Sequence, residues 1–223
     1  MSQEFLIDNI NQVAFNMSQE KVKPENLIVT LYELGVIQFG EFALKSGITS
    51  PIYLDLRKTF TFPKVLEQVA DLLWTKIQPL QYDLICGVPL TALVFASCLT
   101  MRHQLPMIVC RKERKEYGKQ NRIEGEFFAG QNCVVVEDLI TSGASLLETI
   151  EPLKEESLEV TDIVCLIDRQ QGGRTRLEDQ GYRVHPVFTL SQILQVLAVA
   201  GKISKEETLS VLEFIEQNQV SPC

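Results

Sequence analysis

Apolar residues through the middle of this chain follow two alternating rhythms. Runs such as Leu84-Ile85-Cys86, Met107-Ile108-Val109-Cys110 and Cys133-Val134-Val135-Val136 are continuously apolar and rich in branched side chains. That is the pattern of strands buried on both faces. Between the runs, apolar positions recur every three or four residues, the mark of helices with one buried side. The spacing predicts strands at 83–86, 107–110, 132–136, 160–167 and 182–188, with helices at 63–77, 91–102 and 145–153. In the first of these helices the stripe is Val65, Leu66, Val69, Leu72, Leu73 and Ile77. Strands alternating with helices predict an α/β protein whose mostly parallel sheet is flanked by helices. Ligands in such sheets collect beyond the carboxyl ends of the strands. The polar loops that begin at Gly87, Arg111, Glu137 and Asp168 all fall on that edge.

The flanks are less regular. Residues 4–17 place Phe5, Leu6, Ile10, Val13 and Ala14 at helical spacing, and Pro24 suits the first turn of a second helix that Gly35 stops. A turn-rich segment follows at 39–57, punctuated by Gly40, Gly47 and Pro51, with strand-like alternation only at 52–56. Helices are expected again at 190–200 and 204–217, the second opened by Ser204 and Glu207 at capping-box spacing. No repeat or linker divides the 223 residues, so a single domain is expected.

Composition narrows the class. Hydrophobic residues make up 45%, enough for a sizeable core, and the formal net charge of −8 argues against a generic nucleic-acid binder. No apolar run approaches the ~18 residues of a membrane helix. The amino terminus lacks a basic start and a small-residue cleavage site, so a soluble cytoplasmic protein is expected, with no membrane partner. The six cysteines never come closer than twelve residues and four of them sit in strand-like runs, which fits reduced core thiols. Two histidines leave little for a zinc site or a Ser-His-Asp triad.

Candidate chemistry gathers at 132–145. The strand there is expected to stop at Glu137-Asp138, and the turn Thr141-Ser142-Gly143-Ala144-Ser145 then opens a helix. Backbone N–H groups at a helix start bind phosphate, and carboxylates accept from sugar hydroxyls, so this stretch suits a phosphorylated sugar. Neither a Gly-x-x-x-x-Gly-Lys loop nor a Gly-x-Gly-x-x-Gly fingerprint occurs, which lowers the case for triphosphatases and dinucleotide oxidoreductases. Against the acidic background, residues 111–122 carry six cations, Arg111, Lys112, Arg114, Lys115, Lys119 and Arg122. Such a run at the ligand edge reads as a lid that neutralises a polyanion. The turn Gly87-Val88-Pro89-Leu90-Thr91 offers further N–H groups, and Lys45 and Arg169 add one cation each at turns.

Together these stretches resemble one family. The chain is similar to orotate phosphoribosyltransferases, most of all to the phosphoribosyltransferase portion of eukaryotic-type UMP synthases, from about Leu31 to Gln217. The similarity rests on Phe39-Gly40-Glu41-Phe42-Ala43-Leu44-Lys45-Ser46-Gly47, Ser50-Pro51-Ile52-Tyr53-Leu54-Asp55 and Arg111-Lys112-Glu113-Arg114-Lys115-Glu116-Tyr117-Gly118. It rests further on Glu137-Asp138-Leu139-Ile140-Thr141-Ser142-Gly143 and Leu166-Ile167-Asp168-Arg169-Gln170-Gln171-Gly172-Gly173. The acidic loop alone indicates a type I phosphoribosyltransferase of any base; the Lys45 and Arg111–Lys115 contexts narrow it to orotate.

The resemblance implies a type I phosphoribosyltransferase fold with a small hood made by about residues 1–60 and part of the C-terminal segment, over a core at about 65–190. It implies conversion of orotate and 5-phosphoribosyl 1-diphosphate to orotidine 5′-monophosphate and pyrophosphate. Mg²⁺ would be held through substrate oxygens and water, with no protein metal ligand. Catalysis would fall to Lys115 and Asp138. The sugar diphosphate would meet Lys45, Arg111, Lys112, Lys115, Tyr117, Glu137, Asp138, Thr141, Ser142, Gly143, Ala144 and Ser145. Orotate would meet Lys45, Tyr53, Leu54, Thr141 and Arg169. A homodimer with shared active sites and a separate orotidine 5′-monophosphate decarboxylase are also implied. Leu90 departs from the pattern, standing where related sequences carry tyrosine. A non-catalytic sensor of the sugar diphosphate, built on the same fold, stays open as an alternative, although the cationic lid is present.

Overall fold

A computed structural model describes residues 23–43, 47–111 and 122–220. The helix predicted at 4–17 lies outside the described residues. Helix α1 (Pro24–Glu33) starts at a proline, whose missing N–H the first turn would leave unbonded anyway, and it buries Leu27, Ile28 and Leu31. Next comes an antiparallel hairpin of β1 (Ile37–Ala43) and β2 (Thr49–Leu54). The first half of the segment expected to be turn-rich is therefore a strand. Its periodicity is hidden because the pairing slips between Phe39 and Phe42, around Gly40, so the alternation breaks.

Helix α2 (Pro63–Ile77) has the bounds its apolar stripe predicts. The main sheet then forms from β3 (Leu84–Gly87), β4 (Met107–Cys110), β5 (Ile123–Glu124), β6 (Cys133–Ile140), β7 (Asp162–Asp168) and β8 (Arg183–Thr189). Its order is β5-β4-β3-β6-β7-β8, parallel throughout except for β5, which runs antiparallel to β4 at the edge. Helices α3 (Thr91–His103), α4 (Ala144–Glu155) and α5 (Gly173–Asp179) make the crossovers, and α6 (Leu190–Val199) and α7 (Lys205–Gln217) close the chain. Short α5 carries too little apolar spacing to show in the sequence. β4 lies on one side of β3 and β6 on the other, so the winding reverses between β3 and β6. A crevice opens at such a reversal, beyond the strand ends.

Two apolar clusters cover the two faces of the sheet. Val134 and Val136 point into one, with Phe95, Leu73 and the hairpin residues Ile37 and Ile52. Cys133 and Val135 point into the other, with Leu146, Ile150 and Leu153 of α4. The alternation along β6 thus welds both layers through one strand. The five described cysteines are free thiols, and burial pushes Cys86 up to about 12, far from a reactive thiolate. Among the described residues no helix is long and apolar enough to cross a membrane.

The expected cap on α7 is present. Ser204 Oγ accepts from Glu207 N at 3.0 Å, and Glu207 Oε2 accepts from Ser204 N at 2.7 Å. Removing the hydroxyl by Ser204→Ala should cost about 1 kcal/mol, read as a lower urea midpoint with unchanged slope. An unmoved midpoint would show that the cap is redundant with the packing of α7 on β2.

Candidate active site

Strand β6 does not stop at the acidic pair. Its ladder to β7 continues through Leu139↔Ile167 and Ile140↔Asp168, whereas its pairing with β3 ends at Gly87↔Val136. Glu137 and Asp138 are therefore the first residues of β6 that have lost their β3 neighbour. The expectation that they follow the strand is corrected to this: they lie inside it, at the side of the crevice. Continued pairing on one flank keeps the backbone extended although the side chains have turned polar.

Glu137 is buried, 3% exposed. Its Oε2 accepts from Ser145 Oγ at 2.8 Å and its Oε1 from Asp138 N at 3.0 Å. Burial, reinforced by the neighbouring Asp138 carboxyl, holds its pKa well above the carboxylate range, and the two hydrogen bonds offset this only in part. The Ser145 contact ties the first turn of α4 to the strand. It also commits the Ser145 hydroxyl proton, so backbone N–H groups are the main donors that α4 presents to an anion. The helix begins after Gly143, at φ +75°, where a Cβ would crowd Leu177 at 3.1 Å. Gly143 has no side chain to cap that first turn, and Ser142 Oγ accepts only from Ala144 N, at 3.4 Å. Asp138, half-buried, completes the wall.

The β7–α5 loop is laced to this wall. Arg169 N donates to Ile140 O and Gly173 N to Thr141 O, both at 3.0 Å. Arg169 is only 7% exposed, and its Nε and Nη2 have no hydrogen-bond partner among the described residues. Burial pulls its pKa below the ordinary arginine value. A buried fork of donors with no acceptor among the described residues has the geometry to take a planar carboxylate. Leu54 belongs to the same apolar cluster as Leu139 and Ile167, which flank the crevice. Tyr53 instead stacks on Phe42 at 5.4 Å, and its hydroxyl accepts from Arg57 Nη2 at 3.3 Å. The structure thus brings Glu137, Asp138, Thr141–Ser145 and Arg169 together and leaves Tyr53 engaged within the hairpin.

On the other flank, Arg111 N donates to Arg122 O at 2.8 Å and Arg122 Nε to Arg111 O at 3.1 Å, pinning the two ends of the basic loop. Arg111 lies 3.6 Å from Glu124, a partner the sequence did not suggest because Glu124 sits far along the loop and returns only through β5. A cavity of about 270 Å³ is lined by Val88, Pro89, Arg111, Arg122 and Ser145 and, on its α4 side, by Glu148 and Glu151, so parts of three predicted ligand segments border it, although Glu137, Asp138 and Arg169 do not. The Pro89–Leu90 peptide is cis and Leu90 is 63% exposed. Lys45, Lys112, Lys115 and Tyr117 lie outside the described residues. Nothing in the sequence marks Gln170 and Gln171 as individual site residues, since an uncharged amide in a turn carries no signal. Yet Gln171 is 5% exposed, and its buried Oε1 has no partner among the described residues.

Comparisons with known proteins bear on the family and the fold. Residues 60–185 match the family model described as phosphoribosyl transferase domain. The chain is 43% identical over 195 residues to uridine 5′-monophosphate synthase of Bos taurus, covering 86% of this chain but 41% of that protein. To orotate phosphoribosyltransferase of Chlamydia caviae it is 34% identical over 200 residues, covering 89% of this chain and 97% of that one. Among solved structures, UMP synthase of Leishmania donovani superposes with a TM-score of 0.79 at 33% identity, over 88% of this chain and 43% of that one. The chain therefore spans about two fifths of the cattle relative and nearly all of the chlamydial one.

The Glu137 carboxyl generates a pH prediction. Its raised pKa means that the folded state keeps its proton where the unfolded chain gives it up. The stability this contributes is fully present below the ordinary value of 4.5 and is lost as pH rises through the folded value. Glu137→Gln, which cannot ionise, should therefore gain thermal stability relative to the native chain as pH rises above 4.5 toward the raised folded value. Parallel melting curves across that range would show that Glu137 titrates normally.

Proposed function

The chain belongs to the phosphoribosyl transferase domain family and, within it, to the orotate phosphoribosyltransferases; from that premise we propose that it converts orotate and 5-phosphoribosyl 1-diphosphate to orotidine 5′-monophosphate and pyrophosphate. The observation that carries the reading is the buried, unpartnered Arg169 fork beside an anion-binding helix start. The helix start suits the 5′-phosphate that all such transferases share. The guanidinium suits the carboxylate that distinguishes orotate from other bases. A sensor of the sugar diphosphate alone has no use for such a fork, so the catalytic reading is the one supported.

The chemistry follows from charge. Attack of the base nitrogen at the ribose anomeric carbon breaks the bond to diphosphate through a transition state in which positive charge builds on the sugar and negative charge on the departing group. Groups aimed at that separation lower the barrier. Asp138 accepts from a ribose hydroxyl and places a negative charge near the sugar as it becomes cationic. Glu137, both of whose carboxyl oxygens are already engaged, acts mainly by fixing Asp138 N and Ser145 in place. The N–H groups of residues 143–146 hold the 5′-phosphate at the positive end of α4. Arg111, with Lys112 and Lys115 of the basic loop, receives pyrophosphate, and Lys45 and Tyr117 complete its surroundings.

Mg²⁺ is compatible with this donor set. A small hard cation takes six oxygens, and with both Glu137 oxygens engaged the crevice offers few protein oxygens to it, so substrate oxygens and water would supply its ligands. When bound, the ion neutralises diphosphate charge. We propose further that the protein works in the cytoplasm as a homodimer in which the basic loop reaches the neighbouring site. Its product then requires a decarboxylase acting on the orotate carboxylate.

The test is direct. Mixing the protein with orotate, 5-phosphoribosyl 1-diphosphate and Mg²⁺ should deplete the near-ultraviolet absorbance of orotate, and omission of the sugar diphosphate should abolish the change. A rate equal to the protein-free control would sink the proposal.

A further inference from the structure

The loop that carries Arg169 is held from outside the site as well as from within. Gln170 sits at φ +58°, a left-handed conformation that a residue with a side chain adopts only when its surroundings enforce it. Its Oε1 accepts from Ser191 N at 2.8 Å and from Ser191 Oγ at 2.6 Å, anchoring the loop to the start of α6. The stretch that follows α7 closes over the other side. Val220 N donates to Gln171 O at 2.8 Å, Gln219 Nε2 to Gln170 O at 2.9 Å, and Gln171 Nε2 to Asn218 O at 3.2 Å. Gln219 Nε2 also donates to Ile215 O at 2.6 Å, so the crossing residue is itself fixed to the last turn of the helix. The approach is close enough to restrict the sequence beneath it. At Gly172, φ +89°, a Cβ would lie 3.0 Å from Val220 O and 3.2 Å from Val220 N.

We propose that residues 218–220 form a strap that positions Arg169 for the substrate carboxylate by clamping the backbone of Gln170 and Gln171 against the Ser191 anchor. This deepens the functional reading above and rests on it. The logic is geometric. Arg169 is joined to the β6 end by one backbone bond on its own N–H, and the next two residues are fixed by the strap and by Ser191. A guanidinium that must meet two carboxylate oxygens at once tolerates little rotation of its backbone. Slackening the strap therefore weakens carboxylate recognition while leaving the phosphate end of the site, built on β6 and α4, intact. The strap touches no substrate; its residues are positioning residues.

The experiment uses the whole chain. Val220→Pro removes the N–H that reaches Gln171, Gln219→Ala removes the side-chain donor to Gln170, and Val220→Ala keeps the N–H as the conservative control. Initial rates are measured with orotate and 5-phosphoribosyl 1-diphosphate varied separately, alongside the melting temperature of each variant. Val220→Pro and Gln219→Ala should each raise the KM for orotate about 3–10-fold. The KM for the sugar diphosphate and the melting temperature should stay at native values, and Val220→Ala should behave as native. An unchanged orotate KM would overturn the proposal, as would a rise in both KM values together with a fall in melting temperature, which would make the strap mere scaffolding. Absence of turnover in the native protein would instead overturn the functional reading, and this inference with it.

Discussion

Taking a guanidinium out of water without giving it a counter-charge costs several kcal/mol, and the fold does this to Arg169. In the function proposed above, the cost is offset when a substrate anion enters the site. Much of the surrounding structure serves that arrangement. Strand β7 runs fully buried to Asp168 and delivers Arg169 into the interior. Asp168 Oδ1 accepts from Gln170 N at 2.8 Å, turning the chain immediately afterwards. Ile140, Ser191 and the stretch after α7 then hold the turn from three directions.

The second constraint is the unequal length of neighbouring strands. β3 ends at the level of Val136, and β6 runs four residues further along β7. Those four residues, beginning with the acidic pair, form a wall with one flank hydrogen-bonded and one flank open. Parallel winding away from β3 in both directions opens the crevice there, and the same edge carries the Val88-Pro89 turn and the base of the basic loop. Glu137 makes the wall rigid: a buried carboxyl bonded to the next residue and to the first turn of α4 fixes strand and helix in one piece. In the proposed function, phosphate, ribose and base would meet three consecutive structural units whose spacing is set by the sheet.

Much of this was legible in the sequence, and the exceptions have physical causes. Helix α2 and strand β4 could be read to their bounds because their apolar residues are in contact with the core along their whole length. Strand β6 was read short because its last residues are held by pairing on one flank, which polarity does not reveal. Strand β1 was hidden by the slip around Gly40. The candidate site was found through the acidic pair, the Gly143 turn and the family resemblance, which together name Arg169. That Arg169 is buried and unpartnered could not be read, because burial of a turn residue depends on what folds over it. The turn itself is held by Asn218 and Gln219, almost fifty residues away in sequence, with no charge or periodicity to mark them. The cations at Lys45, Lys112 and Lys115 were legible as charges, and their placement is outside the described residues.

If the buried Arg169 fork takes the orotate carboxylate, it must distinguish orotate from an uncharged base. Competition of orotate and of uracil, the same ring without that carboxylate, should be compared in the native protein and in Arg169→Ala. The account predicts that the native protein prefers orotate by about 100-fold or more, the worth of a charge-assisted paired contact of ~3 kcal/mol. It predicts further that Arg169→Ala erases most of that preference by weakening orotate alone. A preference for orotate that survives Arg169→Ala undiminished would contradict it.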